Sequence, residues 1–72
     1  MSTAKQIQIK QEPTELYKIL KFEGLVATGG EAKAVIADGL VTVNGNIETQ
    51  KRKKIVAGDT ISFESLDYII SI

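Results

Sequence analysis

The chain has 72 residues, with nine Lys or Arg against nine Asp or Glu, zero net charge, and neither Cys nor His. So short a chain buries roughly 60% of the surface its unfolded form exposes, which supports one domain around one small core with no disulfide to reinforce it. Without Cys or His there is no thiolate metal site, no His-based catalytic triad and no His-ligated zinc hydrolysis, while a hydrophobic fraction of 43% excludes a disordered composition.

The opening residues, Met1-Ser2-Thr3-Ala4-Lys5, lead into no apolar run and do not read as a secretory signal. No segment reaches the roughly 20 apolar residues that span a bilayer. The expectation is a single cytoplasmic domain over residues 1–72, flexible at 1–4, with no membrane partner and a monomeric state. From Gln6 to Lys10 apolar and polar residues alternate, placing Ile7 and Ile9 on one face of a short strand. Pro13 closes that strand and is predicted to open a helix, since a first helical turn tolerates its missing N–H. Leu16, Ile19 and Leu20 fall at helical spacing, with Tyr17 beside them and Phe22 near the end as a further core residue; Gly24 is the stop, after which Leu25 folds back.

The second helix carries a sharper start. Thr28 can cap backbone N–H groups while Glu31, three positions on, reaches back as in a capping box. Ala32, Val35 and Ile36 form its apolar stripe, and Gly39 ends it. Beyond Gly39 the period changes to alternation, with Val41 and Val43 on one side and Asn44-Gly45 as a hairpin turn. A two-residue turn pairs Val43 with Asn46; a three-residue turn pairs Val43 with Ile47 and keeps the apolar side consistent, and is preferred here. Ile55-Val56 re-enters the core, Ala57-Gly58-Asp59 turns, and Ile61 with Phe63, then Tyr68, Ile70 and Ile72, mark the last strands. The pattern is α+β: a strand, two helices that must be close neighbours because few residues join them, and about four more short strands.

One stretch concentrates the chemistry. Lys51-Arg52-Lys53-Lys54 is a run of four cations in a neutral chain, and burying it would cost far too much. A basic strand or loop near a helix start is suited to reading the backbone of a polyanion. Gly29 and Gly30 let a phosphate approach the first-turn N–H groups of the second helix, and Lys33, three positions past Gly30, shares that face. Arg52 suits a bidentate phosphate contact or stacking on a looped-out base, and in a strand only alternate members of the run would reach one ligand. The Asn44 amide could read a ribose hydroxyl or base edge. Each feature also has a plainer reading: Thr28 and Glu31 as a helix cap, the cations as a solvated face, Asn44-Gly45 as a turn. Tyr17 and Tyr68 lie in phase with apolar neighbours and read as half-buried core. No exposed aromatics interleave with the cations, so nothing here supports a single-strand stacking groove. Asp38, Glu48, Asp59 and Glu64 are scattered, and Gly29-Gly30 lacks the rest of a phosphate-binding loop, so the domain reads as non-enzymatic and without cofactor.

The ordered set from Leu16 to Phe63, in particular Gly24-Leu25, Ala32-Lys33, Ile36, Gly39-Leu40-Val41, Val43-Asn44-Gly45 and Gly58-Asp59, resembles the RNA-binding domain first known from ribosomal small-subunit protein S4. The length and the stretch from Lys51 to Gly58 look most like its small stand-alone bacterial members, the YbcJ type. The resemblance implies the alpha-L motif, two helices packed on a small, curved, mainly antiparallel sheet of about five short strands. It implies binding of structured RNA, ribosomal or transfer RNA-like, through phosphate contacts, with ribosomal particles or assembly proteins as further partners. Carried onto this chain, the RNA-binding surface would comprise Thr28, Gly29, Gly30, Lys33, Asn44, Gly45, Lys51, Arg52, Lys53 and Lys54. Many members place a Ser-Arg pair just before the second helix; Thr28-Gly29 stands at those positions and lacks the bidentate donor. The alternative to RNA binding is a protein-interaction or assembly module in which the cations meet an acidic face and the edge of the last strand extends another sheet.

Overall fold

A computed structural model describes residues 5–72; the expectation of a flexible leader at residues 1–4 falls outside them. The elements in chain order are β1 (Lys5–Gln8), β2 (Thr14–Glu15), α1 (Leu16–Phe22), α2 (Gly29–Ala37), β3 (Val41–Val43), β4 (Asn46–Ile47), β5 (Lys54–Ile55), β6 (Thr60–Phe63) and β7 (Leu66–Ser71). Five strands form one sheet in the order β1-β7-β6-β3-β4, and β2 pairs with β5 in a separate two-stranded ribbon. Within the larger sheet β3, β4, β6 and β7 pair antiparallel, whereas β1 joins β7 in parallel. The sheet is therefore mixed. The last strand also lies inside it, between β1 and β6, so the free edges belong to β1 and β4 and the expected edge on β7 is absent.

One face of the sheet and the inner faces of both helices make the core. Ile7, Val41, Val43, Ile61, Phe63, Tyr68 and Ile70 project from the strands onto Leu16, Ile19, Leu20, Ala32 and Ile36, with Ile9, Val26 and Ile55 closing the ends. Alternation explains the strand contributions and 3.6-residue spacing the helical ones. The opposite sheet face carries Thr42, Ser62, Asp67 and Ile69, the intervening residues of the same strands.

Both helices end as their glycines predict. Gly24 at φ +72° closes α1, its N–H reaching the Lys21 carbonyl (3.1 Å) while Leu25 N–H reaches Leu20 (3.0 Å). Gly39 at φ +76° repeats the pattern on α2, with Leu40 N–H bonded to the Val35 carbonyl at 3.1 Å. These are Schellman closures, and the left-handed residue each requires is least costly as glycine.

Four local expectations are corrected. Pro13 does not open α1; Thr14 and Glu15 run extended to pair with Ile55 and Lys54, and the helix begins only at Leu16. The Asn44-Gly45 turn is the strict two-residue form, with φ of +54° and +85° and Val43 opposite Asn46. Ile47 thus sits opposite Thr42 on the outer face, 67% exposed, because a one-place change of register reverses every side chain. Phe22 is 70% exposed: it lies at the end of α1 off the Leu16-Ile19-Leu20 stripe. Val56 and Ile72 are likewise exposed, the first in the turn after β5 and the second past the end of β7.

Candidate nucleic-acid interface

The basic run is a turn rather than a strand. Lys53 N–H donates to the Gln50 carbonyl at 3.1 Å, which leaves Lys51 and Arg52 at the tip, and only Lys54 enters β5. All four side chains are exposed. What anchors this turn is the start of α1: Leu16 N–H donates to the Lys53 carbonyl (2.9 Å) and Tyr17 N–H to the Lys51 carbonyl (3.1 Å). First-turn N–H groups lack intrahelical acceptors, and here backbone from the basic turn supplies them. The N-cap residue of α1, Glu15, makes no side-chain capping hydrogen bond. The arrangement occupies two first-turn N–H groups of α1 and holds the backbone of the basic turn beside it.

Glu15 stands among these charges. Its carboxylate lies 3.3 Å from Lys18 Nζ and 3.7 Å from Lys54 Nζ, the latter a cross-strand pair set by the β2–β5 register. Burial pushes the Glu15 pKa up, but the hydrogen bond and charge of Lys18, with the charges of Lys54 and Arg52, outweigh it and hold the carboxyl below its ordinary range. Among the described residues, the ion pairs are these two. Lys54 is thus partly engaged within the protein, whereas Lys51, Arg52 and Lys53 keep their charges available to a ligand.

At α2 the cap is filled from inside. Thr28 Oγ1 accepts from Glu31 N–H at 3.0 Å, and Glu31 Oε1 accepts from Ala27 N–H at 2.8 Å. Glu31 therefore reaches one residue further back than a standard capping box, and its carboxylate lies at the helix start. The N–H groups of Gly29 and Gly30, the first two in the helix, remain without intrahelical acceptors. A Cβ at either would meet nothing nearer than 3.8 Å, so internal packing does not require glycine there.

The two helices pack together. Lys33 Nζ lies over the Tyr17 ring, 4.9 Å from its centroid. One turn further along, Lys21 Cδ comes within 3.9 Å of where a Gly29 Cβ would be. Lys21 was missed in the sequence; its i,i+4 relation to Tyr17 was the available signal. Lys18 was missed as well, because its proximity to Lys54 depends on Glu15 and a strand pairing distant in the chain.

Asn44 and Gly45 have other duties. The Asn44 amide donates to Asp59 Oδ1 (3.1 Å) and its Oδ1 accepts from Thr60 N–H (2.9 Å), while the Asn44 backbone N–H reaches the Thr60 carbonyl at 2.7 Å. Asp59 also accepts from Val56 N–H at 2.9 Å. The amide thus locks one turn to another, and its hydrogen bonds go to neither α2 nor the basic turn. The structure brings Lys33, Lys51, Arg52, Lys53 and Lys54 around α1, adds Lys18 and Lys21, and leaves the Asn44-Gly45 tip as a separate projection.

A family model of the S4 domain matches residues 7–71. The chain is 52% identical over 54 residues to YbcJ of Escherichia coli (strain K12) and, equally, to YbcJ of Shigella flexneri, spanning 75% of this chain and 77% of each relative. The solution structure of Escherichia coli YbcJ, described as revealing an alpha-L motif involved in RNA-binding, superposes with a TM-score of 0.72 at 41% identity, over 100% of this chain and 92% of that one. The 30S ribosomal protein S4e from Thermoplasma acidophilum gives a TM-score of 0.69 at 26% identity, over 83% of this chain and 32% of that protein. Two helices on a mixed five-stranded sheet, with this match over nearly the whole chain, show that the protein belongs to the S4 domain family and has the alpha-L fold.

Proposed function

We propose that the chain binds a folded RNA element of ribosomal or transfer RNA type, without a chemical step, through contacts to the phosphate backbone. The observation that carries this reading is the exposed Lys51-Arg52-Lys53 turn, held by its backbone against α1 and linked through Tyr17 to Lys33 on α2. A turn whose backbone is already held loses less freedom on binding than a mobile one. A neutral chain with such a cluster presents a directional patch instead of a uniformly basic surface.

The Gly29-Gly30 pair supports the same face. Glycine is a weaker helix former than alanine, and internal packing does not require it at these two positions. Close approach of an external backbone or phosphate accounts for them. Thr28 then shapes the helix start, and the Asn44-Gly45 tip is a peripheral contact. Electrostatic reach, not base-edge readout, dominates, so a shaped RNA helix or junction is the expected partner, with a monomeric protein in the cytoplasm serving alone or within a ribosomal particle.

The triple variant Lys51→Ala, Arg52→Ala, Lys53→Ala tests this reading. Circular dichroism should show an intact fold, because all three side chains are exposed. Filter binding of structured RNA across a salt series should show weaker association and a log–log salt slope shallower by roughly two to three, at about 0.7–0.9 per lost phosphate contact. Unchanged affinity and slope would refute it. A second reading, a protein-interaction module, draws on exposed Ile47 and Ile69 of the outer sheet face; binding of a protein partner that is insensitive to salt and to competing RNA would favour it.

A further inference from the structure

We infer that Tyr17 is a positioning residue that joins the two halves of the cationic surface, holding Lys33 of α2 in a fixed place relative to the Lys51–Lys53 turn; the inference rests on the RNA-binding reading above. Two independent contacts meet at this residue. Its ring lies beneath Lys33 Nζ, 4.9 Å from centroid to nitrogen, inside the range at which a ring face attracts a cation. Its backbone N–H donates to the Lys51 carbonyl at 3.1 Å. Otherwise the charges sit on separate elements, α2 and the turn between β4 and β5, remote in the chain.

A free lysine side chain carries up to roughly 2 kcal/mol of rotamer entropy, lost when its ammonium is placed. The Tyr17 ring restricts Lys33 before any ligand arrives. A ring face takes up only one side of an ammonium group, which has three N–H donors. Lys33 can therefore meet a phosphate without leaving the ring, so the restriction lowers the cost of binding instead of competing with it. The partly buried position of Tyr17 against the core keeps the ring itself from wandering. The ring need not stack on a base to serve this purpose.

Tyr17→Phe retains the ring face and Tyr17→Leu removes it, while both keep the backbone N–H. Affinity for a structured RNA should stay within error in Tyr17→Phe and fall roughly two- to five-fold in Tyr17→Leu, the size expected of an exposed cation–ring contact. In a Lys33→Gln background, Tyr17→Leu should have no further effect, since the cation it positions is gone. In the free protein, NMR should show ring-current shifts on the Lys33 side-chain methylenes that persist in Tyr17→Phe. That readout stands even where Tyr17→Leu fails to fold. The inference is overturned by unshifted Lys33 methylenes, by wild-type affinity in folded Tyr17→Leu, or by an equal loss in the Lys33→Gln background. Any of these beside a weakened Lys51/Arg52/Lys53 triple variant would sink the role of Tyr17 and leave RNA binding standing. A triple variant that binds as tightly as wild type would remove both.

Discussion

Glu15 is the residue whose chemistry most tempers the cationic surface. It shares its carboxylate between Lys18 and Lys54, and an incoming phosphate must compete for the same two ammonium groups. Glu15→Gln should therefore strengthen RNA binding, roughly three-fold at low salt, on the scale of an exposed ion pair. The same substitution has a signature in acid. The folded-state pKa of Glu15 is depressed, so its stabilising contribution is present above the ordinary glutamate range and is lost as pH falls through the folded value. Thermal melts from pH 7 down to pH 3 should show a shallower acid decline in Glu15→Gln than in wild type; parallel declines would mean that the ion pairs contribute nothing to folding. At Thr28, whose hydroxyl accepts the Glu31 N–H, alanine should cost about 1 kcal/mol of stability, measured by urea unfolding.

Among the elements, those set by neighbours in sequence were legible and those set by distant pairing were not. Thr28 with Glu31, Gly24 with Leu25, and Gly39 each announce a helix end, because capping is decided within five or six residues. The β2–β5 ribbon is invisible locally: Thr14 and Glu15 read as the start of a helix until Ile55 and Lys54 are laid beside them. The hairpin failed for a related reason. Keeping Ile47 on the apolar side favoured a three-residue turn, but Asn44 and Gly45 both accept positive φ, and turn geometry prevailed over one side chain. Three stability tests follow. Gly39→Val should lower the melting temperature by on the order of 10 °C, since a branched residue is strained at φ +76° even though a Cβ there meets Ile47 at an unremarkable 3.5 Å. Phe22→Ala should change stability by less than about 0.5 kcal/mol because the ring is largely exposed, whereas Ile36→Ala, fully buried, should cost roughly 2–5 kcal/mol.

For the whole molecule, the decisive property is distribution of charge, not its total. Nine cations and nine anions cancel, yet the fold gathers Lys33, Lys51, Arg52 and Lys53 around α1 and leaves the outer sheet face to Thr42, Ser62, Asp67 and Ile69. The run at 51–54 stood out in the sequence. That it is a turn anchored on α1, with Lys33 brought alongside through Tyr17, follows only from the packing of the two helices. Titration of isotope-labelled protein with a structured RNA, followed by amide chemical shifts, tests this account most directly. Shifts should concentrate at residues 15–21, 28–33 and 50–55 and spare Thr42, Ser62 and Ile69. A response centred on the outer sheet face, or spread evenly over the molecule, would contradict it.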